Sequence, residues 1–161
     1  MRILYIHGLD SRPNPERISS LEAEGHQVFA LHLDYRTQKD SYKQLRTLAC
    51  EREVEFFVGS SLGGLLGFWL AEELGLPCLL FNPAVAYGKE LAHIEVANTL
   101  GCPQRWVVIG SEDEVVDPEI SWQYFADIAE KSISQQVIWW QGLGHQIDLN
   151  TFRAAQRWAG L

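Results

Sequence analysis

The pentapeptide Gly59-Ser60-Ser61-Leu62-Gly63 is the stretch whose residue types and spacing point most directly to chemistry. A G-x-S-x-G run that follows an extended apolar segment and opens a helix is the setting of a nucleophile elbow. There a serine is forced into a strained strand-to-helix turn and projects its hydroxyl above the sheet edge. The residues two before and two after it must be small for the turn to close, and Gly59 and Gly63 meet that need.

A serine hydroxyl is a weak nucleophile until a base takes its proton. The elbow therefore predicts a histidine near the end of another strand, oriented by a carboxylate, in the chain order serine, acid, histidine. Among the histidines, His7, His26 and His32 precede Ser61, and His93 falls within a predicted helix. His145, in Gln141-Gly142-Leu143-Gly144-His145, follows the last predicted strand in a loop and is the candidate base. The loop at 110–117 offers Glu112, Asp113, Glu114 and Asp117. Asp117 precedes Pro118 and reads as a helix cap. Asp113 is the expected acid because its short stem stands a few residues past the strand end, with Glu112 and Glu114 as alternatives. Acyl transfer also needs donors for an oxyanion. The backbone N–H groups of Leu62, after the serine, and of Leu9, in His7-Gly8-Leu9-Asp10, are the candidates. His7 itself is expected to brace its loop by bonding to backbone.

Positioning these groups requires strand ends gathered at one edge. Six short apolar runs, at 3–6, 27–31, 54–58, 77–81, 105–109 and 135–140, are spaced widely enough for a helix between them, the pattern of an α/β domain with a parallel sheet. Asn14-Pro15 and Asp117-Pro118 mark helix starts, and Gly25, Gly75 and Gly101 mark helix ends. Tyr42, Leu45 and Leu48 share one helical face, and Ile120, Tyr124, Phe125 and Ile128 share another in the helix predicted over 118–130. The segment 62–71 is apolar almost all round, as suits a helix buried against the sheet. With 161 residues and no linker or repeat, the chain reads as a single domain, 1–161.

The net charge of −8 argues against nucleic acid and anionic lipid as partners and favours small neutral or cationic substrates. No apolar run is long enough for a membrane span. Cys50, Cys78 and Cys102 are odd in number and widely spaced, and read as reduced, packed thiols. Nor does any His or Cys pair have ligand spacing, so neither metal nor cofactor is implied. The start Met1-Arg2 runs directly into residues 3–6 without a signal-peptide pattern, which points to the cytoplasm. Oligomeric state is not implied.

Leu4-Tyr5-Ile6-His7-Gly8-Leu9-Asp10-Ser11, the elbow with Gly64, Phe81-Asn82-Pro83-Ala84-Val85, Asp113-Glu114-Val115-Val116-Asp117 and Gly144-His145 together resemble the α/β-hydrolase superfamily. More narrowly, the chain is similar to the small bacterial YqiA-type esterases over nearly its whole length. The resemblance implies Ser61, Asp113 and His145 as a catalytic triad, in a minimal three-layer α/β-hydrolase fold whose six parallel strands lie in the order 2-1-3-4-5-6. Residues 82–104, where larger relatives carry lids, have room for little beyond a crossover helix over 89–100, so an open, lid-free site is expected. Its rim is expected at Asp10, Ser11 and Arg12 and at residues 82–87, with Asn82 and Pro83 foremost. The expected activity is hydrolysis of carboxylic esters or thioesters of small acyl groups through an acyl-serine. The alternative is a non-catalytic binding protein that keeps the fold.

Overall fold

Residues 1–96, 100–129 and 134–161 are described by a computed structural model. Strands β1 (Arg2–Ile6), β2 (Gln27–Ala30), β3 (Phe56–Ser60), β4 (Cys78–Phe81), β5 (Arg105–Gly110) and β6 (Gln135–Trp140) form one sheet. Their order is β2-β1-β3-β4-β5-β6, and every neighbouring pair is parallel. Parallel strands require a crossover between them, which covers the sheet on both faces. Helices α1 (Pro15–Ala23), α2 (Ser41–Glu51), α3 (Leu62–Leu74), α4 (Pro118–Ile128) and α5 (Leu149–Trp158) supply most of that cover.

Side chains alternate across the sheet, so two cores form. Ile3, Tyr5, Phe56, Val58, Leu79, Phe81, Trp106 and Val108 pack with Leu21 of α1 and Phe152 and Ala155 of α5. On the other face, Leu4, Ile6, Phe57, Leu80, Val107 and Ile109 pack with Leu45 of α2, Leu65, Leu66 and Leu70 of α3 and Phe125 of α4. As its composition implies, α3 is buried nearly all round, whereas α2 turns Tyr42, Leu45 and Ala49 inward. In α4 Tyr124, Phe125 and Ile128 pack on the core as expected, and Ile120 is the exception. Ile120 is exposed, while Ser121 and Phe125 are buried, the Ser121 hydroxyl donating to the Pro83 carbonyl.

Capping decides where the helices start. Asn14 and Asp117 accept backbone N–H bonds in the first turns of α1 and α4, each with proline at the first helical position, and Asp148 does the same for α5. The crossover after β4 differs from expectation. The described part of 89–100 holds no α-helix; instead a 3-10 helix (Val85–Lys89) runs into turns whose i to i+3 bonds, among them Glu90 N–H to Tyr87 and Ile94 N–H to Leu91, keep Leu91 and Ile94 on the core. The rest of that segment, at 97–99, lies outside the described residues, as does 130, the expected end of α4. Of the three thiols, which are free, Cys78 and Cys102 are buried but Cys50 is exposed on α2. No helix among the described residues is long and apolar enough to cross a membrane.

Candidate active site

Strand β3 ends two residues later than its apolar pattern predicts, because Gly59 and Ser60 still pair with β1 and β4. Ser61 then turns the chain in one step into α3, with φ 55° and ψ −123°, a left-handed backbone conformation that costs a non-glycine residue of order 1–3 kcal/mol. The surroundings hold it there. Ser61 N–H donates to the Phe81 carbonyl at 2.9 Å, and its own carbonyl accepts from Leu65 and Ala84. The flanking glycines are sterically required: a Cβ on Gly59 would stand 2.3 Å from the Gly63 carbonyl oxygen, and one on Gly63 would stand 2.3 Å from that of His7. The Ser61 hydroxyl caps nothing in α3, so it is not committed to holding the helix.

His145 and Asp113 come from the loops after β6 and β5. The His145 Nδ1 lies 2.8 Å from Asp113 Oδ2, and the Asp113 side chain is 1% exposed. Its other oxygen, Oδ1, accepts from the Val115 and Val116 N–H groups, each at 2.8 Å. Glu112 and Glu114 are exposed on either side of it, so of the three sequence candidates Asp113 is the one in contact with the imidazole. In a neutral imidazole, a carboxylate at Nδ1 selects the tautomer that carries the proton on Nδ1 and leaves Nε2 its lone pair.

A small groove of about 130 Å³ brings Ser61 and His145 together with Gly8, Leu9 and Ser11. A Cβ on Gly8 would approach Ser61 Cβ to 3.1 Å, so the loop after β1 runs directly beside the serine. Leu62, first in α3, has no helical acceptor for its N–H. A second hollow of about 190 Å³ shares Leu62 and is walled by Leu66, Tyr87, Leu91 and Ile94 together with Arg36, Lys39, Glu90 and His93, and neither Ser61 nor His145 lines it. A hollow of about 540 Å³ between α1 and α5 contains neither Ser61 nor His145.

His7 is 1% exposed, and both ring nitrogens are engaged by backbone: Nδ1–H donates to the Gly8 carbonyl at 2.7 Å, and Nε2 accepts from Leu33 N–H at 3.0 Å. Tyr35 donates its hydroxyl to the His7 carbonyl. Burial lowers the His7 pKa, partly offset by the bond to Gly8 and reinforced by nearby His32. The unfolded chain thus binds this proton more readily, so the contribution of neutral His7 to stability is present above about pH 6.5 and is lost as the pH falls below it. Urea midpoints should therefore drop on acidification through that range, and less steeply in His7→Gln. An identical pH dependence in the variant would contradict this role.

The expected rim is only partly at the surface. Ser11 lines the groove and Asp10 is exposed but paired with Arg36, whereas Asn82 and Pro83 are buried. Asn82, with φ 42°, accepts from Gly110 N–H at 2.7 Å and donates to the carbonyls of Gly144 at 3.0 Å and His145 at 3.4 Å. It ties the end of β5 to the histidine loop, a role that an Asn-Pro pair in the sequence does not distinguish from a surface turn. Asn82→Ala leaves the Gly110 N–H buried without a partner, which should cost about 1–3 kcal/mol in urea unfolding. Because the His145 loop is then untied, its backbone amides should exchange with solvent faster than in the wild type. Unchanged exchange in this variant would show that the tie does not hold the His145 loop. Arg17, Gln146 and Ile147 also line the groove, and no pattern in the sequence marks them.

A parallel sheet in this order, with a serine in the sharp turn after β3 and an acid and a histidine on the loops after β5 and β6, has the architecture of the α/β-hydrolase fold. Residues 2–100 match the profile of the family described as Uncharacterised protein family (UPF0227), and the chain belongs to that family. The same fold occurs in SOBER1 from Arabidopsis thaliana, at 15% identity and a TM-score of 0.75 over 99% of this chain and 97% of that one. It occurs as well in Est1E from Butyrivibrio proteoclasticus, solved with ferulic acid bound, at 15% identity and a TM-score of 0.71 over 98% of this chain and 87% of that one. A Bacillus cereus carboxylesterase matches at 14% identity and a TM-score of 0.68, over 98% and 86% of the two chains.

Proposed function

We propose that the chain is a serine hydrolase that cleaves carboxylic esters or thioesters of small acyl groups through an acyl-Ser61 intermediate. The observation that carries this reading is the strained Ser61, its hydroxyl uncommitted to the helix, sharing a groove with an imidazole whose far nitrogen is held by a buried carboxylate. In the proposed reaction Ser61 Oγ attacks the carbonyl carbon while His145 Nε2 takes the hydroxyl proton. Asp113 stabilises the imidazolium, and the Leu9 and Leu62 N–H groups donate to the oxyanion. As the tetrahedral intermediate collapses, His145 returns the proton to the departing alcohol or thiol. Water then attacks the acyl-serine with His145 again as base, releasing the acid and restoring Ser61.

The small size of the groove that holds Ser61 and His145, about 130 Å³, supports an acyl group of a few carbons, since each further CH₂ gains about 0.8 kcal/mol only where a wall exists to bury it. Free thiols accord with a reducing compartment such as the cytoplasm. No observation favours the alternative of a binding protein without activity. A screen of p-nitrophenyl esters of graded chain length alongside thioesters tests the proposal. Turnover that peaks at short chains is expected; rates that climb steadily with chain length would contradict the size limit, and no hydrolysis of any ester would contradict the activity.

A further inference from the structure

Two cations, Arg12 and Arg17, line the groove that holds Ser61 and His145, and among the described residues no aspartate or glutamate lines it. This is unexpected in a chain of net charge −8. The nearby carboxylates are engaged elsewhere: Asp10 with Arg36, Asp148 as the cap of α5, Asp113 on the far side of His145, and Glu16 facing the hollow between α1 and α5.

Arg17 is fixed without being neutralised. It donates from Nη1 to the Tyr5 hydroxyl at 3.3 Å and from Nη2 to the Ile147 carbonyl, and its guanidinium carbon lies 5.7 Å from the centre of the Phe152 ring. None of these partners carries a charge. Arg12 is exposed and has no carboxylate partner among the described residues. Guanidinium groups present paired donors that match a carboxylate or phosphate. Net charge governs the distant field, but within about 10 Å, the screening length at 0.1 M salt, the two arginines govern the groove.

Which part of a substrate meets them follows from the histidine. The imidazole that takes the Ser61 proton must give it to the departing atom, so the leaving group occupies the side of the serine where His145 stands, and that is the groove with the arginines. We infer that the groove selects esters or thioesters whose leaving alcohol or thiol bears an anion, a carboxylate or a phosphate, bound by Arg12 and Arg17. This inference rests on the proposed hydrolase function and replaces the neutral or cationic substrate that net charge alone implies. The anion takes no part in the bond changes. The Ser61 Oγ–carbonyl bond forms, the carbonyl–oxygen or carbonyl–sulfur bond breaks, and the proton from His145 passes to the departing atom.

Two matched substrates test it: para-acetoxybenzoate, whose leaving phenol carries a carboxylate, and its neutral analogue para-acetoxybenzamide. At low salt, kcat/KM for the anion should exceed that for the amide by at least about tenfold, and the ratio should shrink as salt is added. In Arg12→Ala the ratio should fall several-fold, and in Arg12→Glu it should invert. Lys43→Ala, which removes an equal charge from the exposed side of α2, should keep both the activity and the ratio. A second pair, phenyl hydrogen succinate and phenyl butyrate, places the anion on the acyl side, where no preference is expected. Hydrolysis of the amide with a ratio near one, a ratio untouched in Arg12→Glu, or a preference confined to the succinate overturns the inference and leaves the hydrolase reading standing. Turnover of none of the four substrates contradicts both.

Discussion

Ser61→Ala is expected to lower kcat for ester hydrolysis by at least about a thousandfold while the protein stays folded, because only the proposed oxyanion donors and substrate binding would remain. The fold should tolerate the change. Alanine keeps the Cβ, and the hydroxyl it removes caps nothing in α3. Ser60, the last residue of β3, is the internal control, since it lines the same groove in an extended strand and Ser60→Ala should be mild. A companion variant separates function from stability. Ser61→Gly removes the steric cost of φ 55° and should raise stability by about 1 kcal/mol while abolishing turnover. A Ser60→Ala variant that loses activity beside an active Ser61→Ala would move the proposed nucleophile to Ser60.

Asp113→Asn should also cause a large loss, lowering kcat by about ten thousandfold. The reason lies in how the carboxylate is already used. Oδ1 accepts from two backbone N–H groups, of Val115 and Val116, so the single amide oxygen of asparagine is drawn to that side and its NH₂ is left facing His145. An NH₂ cannot accept from Nδ1–H. The imidazole must then carry its proton on Nε2, where it has no lone pair for the Ser61 proton. Glu112→Gln and Glu114→Gln, at exposed neighbours, should be near neutral. Asp117→Asn keeps a good cap on α4 and should also cost little. Activity retained in Asp113→Asn would exclude the proposed triad.

The fold was legible where local rules act alone. The six apolar runs, the Asn14-Pro15 and Asp117-Pro118 caps and the flanking glycines of the elbow each follow from backbone geometry that a few adjacent residues determine. Helix α5 was within reach but unread, since Asp148 caps it and Phe152, Ala155 and Ala159 repeat at helical spacing. Less legible was whatever depends on contacts distant in the chain. Asn82 reads as a surface turn until β5 and the histidine loop arrive on either side of its amide. Ile120 reads as a core residue until the packing of α4 turns Ser121 toward Pro83 instead. The charge of the groove was hidden for the same reason: net charge is a sum over the chain, whereas Arg12 and Arg17 act at one spot from which the carboxylates are turned away.

The most direct test of the central claim is to treat the protein with a fluorophosphonate and map the covalent adduct by mass spectrometry. The account predicts one adduct on the peptide containing Ser61, assigned to Ser61 by fragmentation, absent in Ser61→Ala and strongly slowed in His145→Ala. An adduct on Ser60, or none on the folded protein under conditions that label other serine hydrolases, would contradict it.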